Sequence, residues 1–132
     1  MCSQLQIEKD RKNSVISRER SQEILLSMTK LVGRKWYPVI LHHLLIRGPA
    51  GFTELKDEID GISGKMLSNS LDELEEEYDL VERTILNDKP IRVEYSLTDR
   101  GEKLGSIIIQ MREWGAEYLS IEAEGSFSVT DH

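Results

Sequence analysis

The chain has very little cysteine: a single Cys2 in 132 residues, so neither a disulfide framework nor a Cys-x-x-Cys metal or redox pair can be built. It also lacks any apolar run approaching the roughly 18 residues that cross a bilayer. Its first twenty residues are studded with Glu8, Lys9, Asp10, Arg11, Lys12, Arg18, Glu19 and Arg20, which argues against a signal peptide or membrane partner and for a cytoplasmic protein. No nucleophile motif, phosphate-cradling glycine loop or paired-carboxylate frame occurs, so an enzyme is not expected, and no cofactor is implied. His42 and His43 are adjacent, which on a helix points them about 100° apart, too divergent for a two-ligand metal site. Basic charge is scarce as well. Seventeen Lys and Arg face 24 Asp and Glu, a net of −7, which on average disfavours phosphate. The deficit is uneven: residues 1–32 carry six basic and four acidic groups, 33–100 nine and fourteen, 101–132 two and six.

What is present is a patterned chain of one-domain size, 39% hydrophobic and 31% charged. Ile24, Leu25, Met28, Leu31 and Val32 recur at three and four residues behind Ser21, predicting a helix capped by Ser21 and ended by Gly33. A second helix, apolar on several sides, is predicted from about Arg34–Trp36 through Leu45, before Arg47-Gly48-Pro49-Ala50-Gly51 breaks the period. Thr53 is the expected cap of a short third helix with Leu55 and Ile59 inward. After the Asp60-Gly61 turn, Ser63 caps a longer helix striped by Leu67, Leu71 and Leu74. Two helices joined by a tight glycine turn read as a helix-turn-helix.

The period then changes to two. Leu80–Leu86 and Arg92–Leu97 alternate around Asn87-Asp88-Lys89-Pro90, predicting a β-hairpin, in effect a wing behind the helix-turn-helix. Thr98 caps a last helix in which Ile107, Met111, Trp114, Tyr118 and Ile121 step by four and three, the spacing of a seam between helices and here the expected dimer interface. The expected class is therefore mainly α with a β-hairpin wing (α+β). Residues 1–20 form a flexible or partly helical N-terminal segment, 21–120 the winged helix-turn-helix with its terminal helices, and 121–132 a loose tail.

Six blocks in order resemble the HxlR-type family of winged-helix transcriptional regulators: Gly33-Arg34-Lys35-Trp36, Phe52-Thr53-Glu54-Leu55, Gly61-Ile62-Ser63, Leu71-Asp72-Glu73-Leu74-Glu75, Arg92–Thr98 with Gly101, and Glu113-Trp114-Gly115. The resemblance implies a small DNA-binding homodimer whose terminal helices pair and whose recognition helix and wing touch the operator. The sequence also departs from it. Many relatives carry a cysteine shortly before the Gly-Lys-Trp block, whereas residues 17–32 contain none, which excludes thiol sensing there. Asn69-Ser70 stands where the recognition helix often offers Gln-Arg, and Gly51 where an arginine often precedes the Phe, while Arg34 replaces a second glycine.

On this reading the recognition helix, about 63–77, enters the major groove, and the wing, about 80–97, meets the flanking backbone or minor groove. Ser63, Lys65, Ser68 and Asn69 occupy the first turn and a half, where Asn69 suits adenine and Lys65 guanine or phosphate. Lys89 and Arg92 are the wing contacts, with Arg83 less favoured because it shares the face of Val81. Arg34, Lys35 and Lys56 are candidate phosphate ligands. Each has a plainer reading: Ser63 only a cap, Lys35 only a cover for Trp36, Arg92 paired with Glu82 or Glu94. A different class also fits the acidic balance, a winged-helix module that binds protein and not specific DNA. A small-molecule effector is a further possible partner, with Trp36, Tyr37, Trp114 and Tyr118 as candidate walls.

Overall fold

The computed structural model of the chain describes residues 16–119. It divides into two units between Arg34 and Lys35. The first holds α1, Arg18–Val32. Its cap is Ser17, not Ser21: the Ser17 side chain accepts from Arg20 N at 3.0 Å. Glu19 in the first turn and Lys30 in the last match the helix dipole, and an Arg20–Glu23 pair at 2.9 Å braces the opening turn. Gly33 closes it with a hydrogen bond to Thr29 O, as the sequence predicts.

The second unit runs α2 (Tyr37–Arg47), α3 (Phe52–Glu58), α4 (Gly64–Glu76), β1 (Val81–Asp88), β2 (Ile91–Leu97) and α5 (Asp99–Tyr118). Its core is drawn from every element: Tyr37, Ile40, Leu41 and Leu44 of α2, Leu55 of α3, Leu67, Leu71 and Leu74 of α4, Val81 and Tyr95 of the hairpin, and Leu104 and Ile108 of α5 are all buried. Helix α2 buries three turns of side chains because it crosses the middle of the unit, which is why its apolar pattern is not confined to one stripe. It starts at Tyr37, with Pro38 in the first turn where a missing N–H costs nothing, so Lys35 and Trp36 lie in the preceding turn.

Two further local expectations change. The cap of α3 is Gly51, whose N–H is accepted by the Glu54 carboxylate at 2.8 Å; Thr53 sits inside the helix. The bond from the side chain three residues along outcompetes a hydroxyl placed two residues too late. The hairpin is longer than the alternation predicts: Asn87 and Asp88 pair with Arg92 and Ile91, leaving only Lys89-Pro90 at the turn, joined by a cis peptide, with a bulge between Ile85 and Asn87. Ile121 of the expected seam lies outside the described residues.

Ala50, between α2 and α3, exchanges two backbone hydrogen bonds with Tyr95 (3.0 and 2.8 Å) and so adds a one-residue rung to the far edge of β2. Three residues further on, Thr98 ties three segments together. Its N–H donates to Leu80 O, its hydroxyl donates to Asp79 O at 2.8 Å and accepts from Gly101 N at 3.0 Å. The wing is thereby fastened to the helical body at both strand bases.

Candidate nucleic-acid interface

Helix α4 owes its orientation to its stripe. Leu67, Leu71 and Leu74 are buried, and Ser70 joins them on the inner side, so Lys65, Ser68, Asn69 and Asp72 are turned outward and exposed. Ser63 does cap the helix, accepting from Met66 N at 3.0 Å, and its own side chain remains exposed. Lys65 and Asn69, four apart, stand one turn above each other on the outer face. Ser70 is buried on the inner side, so of the Asn69-Ser70 pair only Asn69 faces outward.

Two further cations gather at the N-terminal end of α4, and neither placement is visible in the local sequence pattern. The Lys56 side chain of α3 passes over Gly64: a Cβ built on that glycine would lie 3.5 Å from Lys56 Cε. Trp36 reaches the turn before α4, its ring edge 3.7 Å from where a Cβ on Gly61 would stand. Gly61 itself holds a φ of 86°, the left-handed conformation that the turn requires. Lys35 Nζ lies 5.1 Å from the centre of the same Trp36 ring, a cation–π contact that fixes the ammonium beside the turn without neutralising it. Lys56 and Lys65, with Lys35 held on the Trp36 ring that reaches the preceding turn, thus lie toward the N-terminal, positive end of the α4 dipole.

The wing supplies the rest. Strand partners on an antiparallel pair share a face, so Val81, Arg83 and Ile85 lie with Leu97, Tyr95 and Val93, while Glu82, Thr84 and Asn87 lie with Ser96, Glu94 and Arg92. Arg83 therefore belongs to the face carrying buried Tyr95. Arg92 borders a cleft with Gly51, Phe52, Thr53 and Glu54, and Lys89 is at the exposed tip. Among the described residues, Lys56, Lys65, Lys89 and Arg92 are in no ion pair, so Arg92 is not engaged by Glu82 or Glu94. Arg34 ends the first unit and is described with it.

Three acidic groups near the interface, Glu73, Glu58 and Glu54, are engaged by other side chains, while Asp72 stays exposed on the outer face of α4. Glu73 accepts from the buried Tyr37 hydroxyl, and Tyr37 stacks edge-on against Tyr78 at 6.0 Å, pinning the start of α2 to the body of α4. Glu58 accepts from Arg47 Nε at 2.8 Å and lies 2.7 Å from His43 Nε2, while Glu54 lies 3.0 Å from Arg47 Nη2. These hydrogen bonds, from His43 first and Arg47 second, hold the Glu58 carboxyl below its usual range.

The two histidines part company, His43 toward Glu58 and His42 toward Arg112 at 2.9 Å. Among the described residues no three His, Cys, Asp or Glu side chains converge on a metal-sized site, and no helix is long and apolar enough to cross a membrane. The four aromatic residues considered for an effector pocket do not assemble. Tyr37 is core, Trp36 covers the Gly61 turn, and Trp114 and Tyr118 stack on one another at 5.2 Å on the outer side of α5. On that helix Ile107, Met111, Trp114 and Tyr118 are 52%, 45%, 59% and 64% exposed, a continuous apolar stripe.

The HxlR-like helix-turn-helix family model matches residues 31–123. The HTH-type transcriptional regulator YodB of Bacillus subtilis (strain 168) is 37% identical over 92 residues, 70% of this chain and 80% of its own length. The uncharacterized HTH-type regulator YkvN of the same organism is 40% identical over 101 residues, covering 76% and 84% of the two chains. Among solved structures, reduced YodB from B. subtilis superposes with a TM-score of 0.61 at 32% identity, over 79% of this chain and 95% of that one. The redox regulator HypR in its oxidized form gives 0.64 at 34% identity, over 74% and 98%. These relatives are transcriptional regulators and not enzymes, and their fold is the winged helix-turn-helix described above. The chain is a member of the HxlR-like helix-turn-helix family of transcriptional regulators.

Proposed function

We propose that this protein is a cytoplasmic, homodimeric, sequence-specific DNA-binding transcriptional regulator in which α4 reads the major groove and the wing holds the flanking backbone or minor groove. The observation that carries the reading is the gathering of Lys35, Lys56 and Lys65, from three separate elements, around the N-terminal end of α4. A chain with net charge −7 concentrates cations there in a way that its composition alone does not require. Base edges fall to Lys65 and Asn69, with Ser63 and Ser68 beside them, and phosphates to Lys35, Lys56, Lys89, Arg92 and, from the first unit, Arg34.

The dimer forms along α5 through Ile107, Met111, Trp114 and Tyr118. Apolar side chains of this size, exposed in one row, are characteristic of a surface that pairs with another. A two-fold dimer calls for a near-palindromic operator with half-sites about 34 Å apart, one helical turn, or a multiple of that. The test is selection of bound sequences from a pool of random duplexes at two salt concentrations. Enrichment of a palindrome that weakens steeply with salt supports the reading; a folded dimer that enriches nothing transfers the assignment to a protein-binding winged-helix module.

A further inference from the structure

A cleft of about 490 Å³ lies between α2 and α5, walled by Pro38, Val39, Ile108, Met111 and Leu119. Small-molecule sites span roughly 300–1,000 Å³ and are mostly apolar with a few placed polar groups. This one follows that pattern. Gly115 and Ala116 leave its α5 side open, and its polar side chains are His42 and Arg112.

Those two are bonded to each other, Arg112 Nη1 donating to His42 Nε2 at 2.9 Å, although they are 70 residues apart. Acting as acceptor, the His42 ring is neutral there; burial, Arg112 and then His43 all hold its pKa below 6.5. Among the described residues the one carboxylate paired with Arg112 is Glu113, whose Oε2 lies 3.7 Å from Nη2, too far for a hydrogen bond. The cleft wall therefore carries one guanidinium, oriented by a neutral imidazole, with donors still unused. A planar fork of that kind is matched by a carboxylate.

The geometry points to a binding site for a small monocarboxylic acid, its compact apolar body between α2 and α5 and its carboxylate on Arg112. Occupancy has a direct route to the recognition helix. Val39 and His42 line the cleft on α2, while Tyr37, one turn earlier on the same helix, is bonded to Glu73 of α4, and Trp36 contacts the turn that launches α4. A ligand that shifts α2 against α5 thereby moves α4. This regulatory consequence rests on the DNA-binding reading, whereas the binding site itself does not.

The probes are naphthalene-1-carboxylate and its neutral amide, measured by calorimetry on the full chain without DNA. The wild type binds the acid and prefers it to the amide by at least about tenfold, the share expected of one charge-assisted contact. Arg112→Gln, at an exposed position, abolishes that preference. Val39→Trp, which fills the cleft from a partly exposed position, abolishes binding of both probes with the circular dichroism spectrum unchanged. Equal affinity for acid and amide, a preference surviving Arg112→Gln, or no binding at millimolar concentrations overturns the site. So does a wild-type dimer that excludes the acid while Val39→Trp is monomeric, because a second copy then fills the cleft. Operator affinity is measured separately: a shift of at least about threefold on saturation with the acid supports the coupling, and an unmoved affinity overturns it while leaving the site standing.

Discussion

Salt dependence gives the sharpest test of the interface, because it counts phosphate contacts. Of the five cations assigned to phosphates, Arg34 already has another partner, which leaves the exposed Lys35, Lys56, Lys89 and Arg92, four in a protomer and eight in a two-fold dimer. Counterion release of about 0.9 per neutralised phosphate gives a slope of log affinity against log salt near −7. Between roughly 50 and 200 mM salt the operator affinity then falls on the order of ten-thousand-fold. Lys89→Ala removes two contacts from the dimer and flattens the slope by about 1.8, equally on operator and random duplex. Lys89 is exposed at the wing tip and in no ion pair among the described residues, so its loss leaves thermal stability within about 0.5 kcal/mol. Fluorescence anisotropy titrations at four or more salt concentrations read the slope directly. A wild-type slope shallower than about −3, or one that Lys89→Ala leaves untouched, refutes the assignment of these cations to phosphate.

The base-reading pair behaves differently: Lys65→Ala and Asn69→Ala each narrow the gap between operator and random DNA by about 1–3 kcal/mol, checked by competition binding, with the salt slope of Asn69→Ala unchanged. Gly101→Ala destabilises by about 1–3 kcal/mol or more in a denaturant melt, because a Cβ there would stand 2.1 Å from the Leu80 carbonyl oxygen, a backbone atom that cannot move aside. Gly115→Ala, whose Cβ would meet only Leu119 Cδ1 at 3.5 Å, gains up to about 1 kcal/mol of helix propensity in the same assay. Glu58 titrates below its ordinary 4.5 in the folded chain, so its contribution is complete above pH 4.5 and lost as pH falls through the lowered value. The melting temperatures of wild type and Glu58→Gln accordingly converge on acidification. Trp114→Glu together with Met111→Glu places charge in the α5 stripe and yields monomers by sedimentation, with operator affinity falling as the two half-sites are uncoupled.

Local chemistry made much of this fold legible. The Leu67-Leu71-Leu74 stripe, the caps Ser63 and Thr98 and the change of period after Leu80 each depend on residues within a few positions of one another, so the sequence carries them openly. The start of α1 and the cap of α3 were harder for the same reason. Ser17 and Ser21, or Gly51 and Thr53, are rival caps a short way apart, and the choice falls to which side chain closes a hydrogen bond, as Glu54 does. Hairpin length depends on pairing across the strands, which the alternation of one strand does not contain. The outward set Lys65, Ser68 and Asn69 followed from the stripe, yet the arrival of Lys56 and of Lys35 with Trp36 at the end of α4 is a tertiary fact. So is the His42–Arg112 bond, which joins two residues with no individual signature.

The rung that Ala50 adds to β2 has a consequence for how operators are measured. With Ala50 bonded to Tyr95 across the outer edge of β2 and Thr98 fastening the end of the same strand to Leu80 and Asp79, the base of the wing cannot swing independently of the helix-turn-helix. The span from Asn69 on α4 to Lys89 at the wing tip is then a fixed gauge, the same on every site the protein visits. Such a gauge makes each half-site uniform in length and intolerant of insertions within it. In the proposed dimer any latitude in operator architecture is displaced to the spacer, where the two gauges meet.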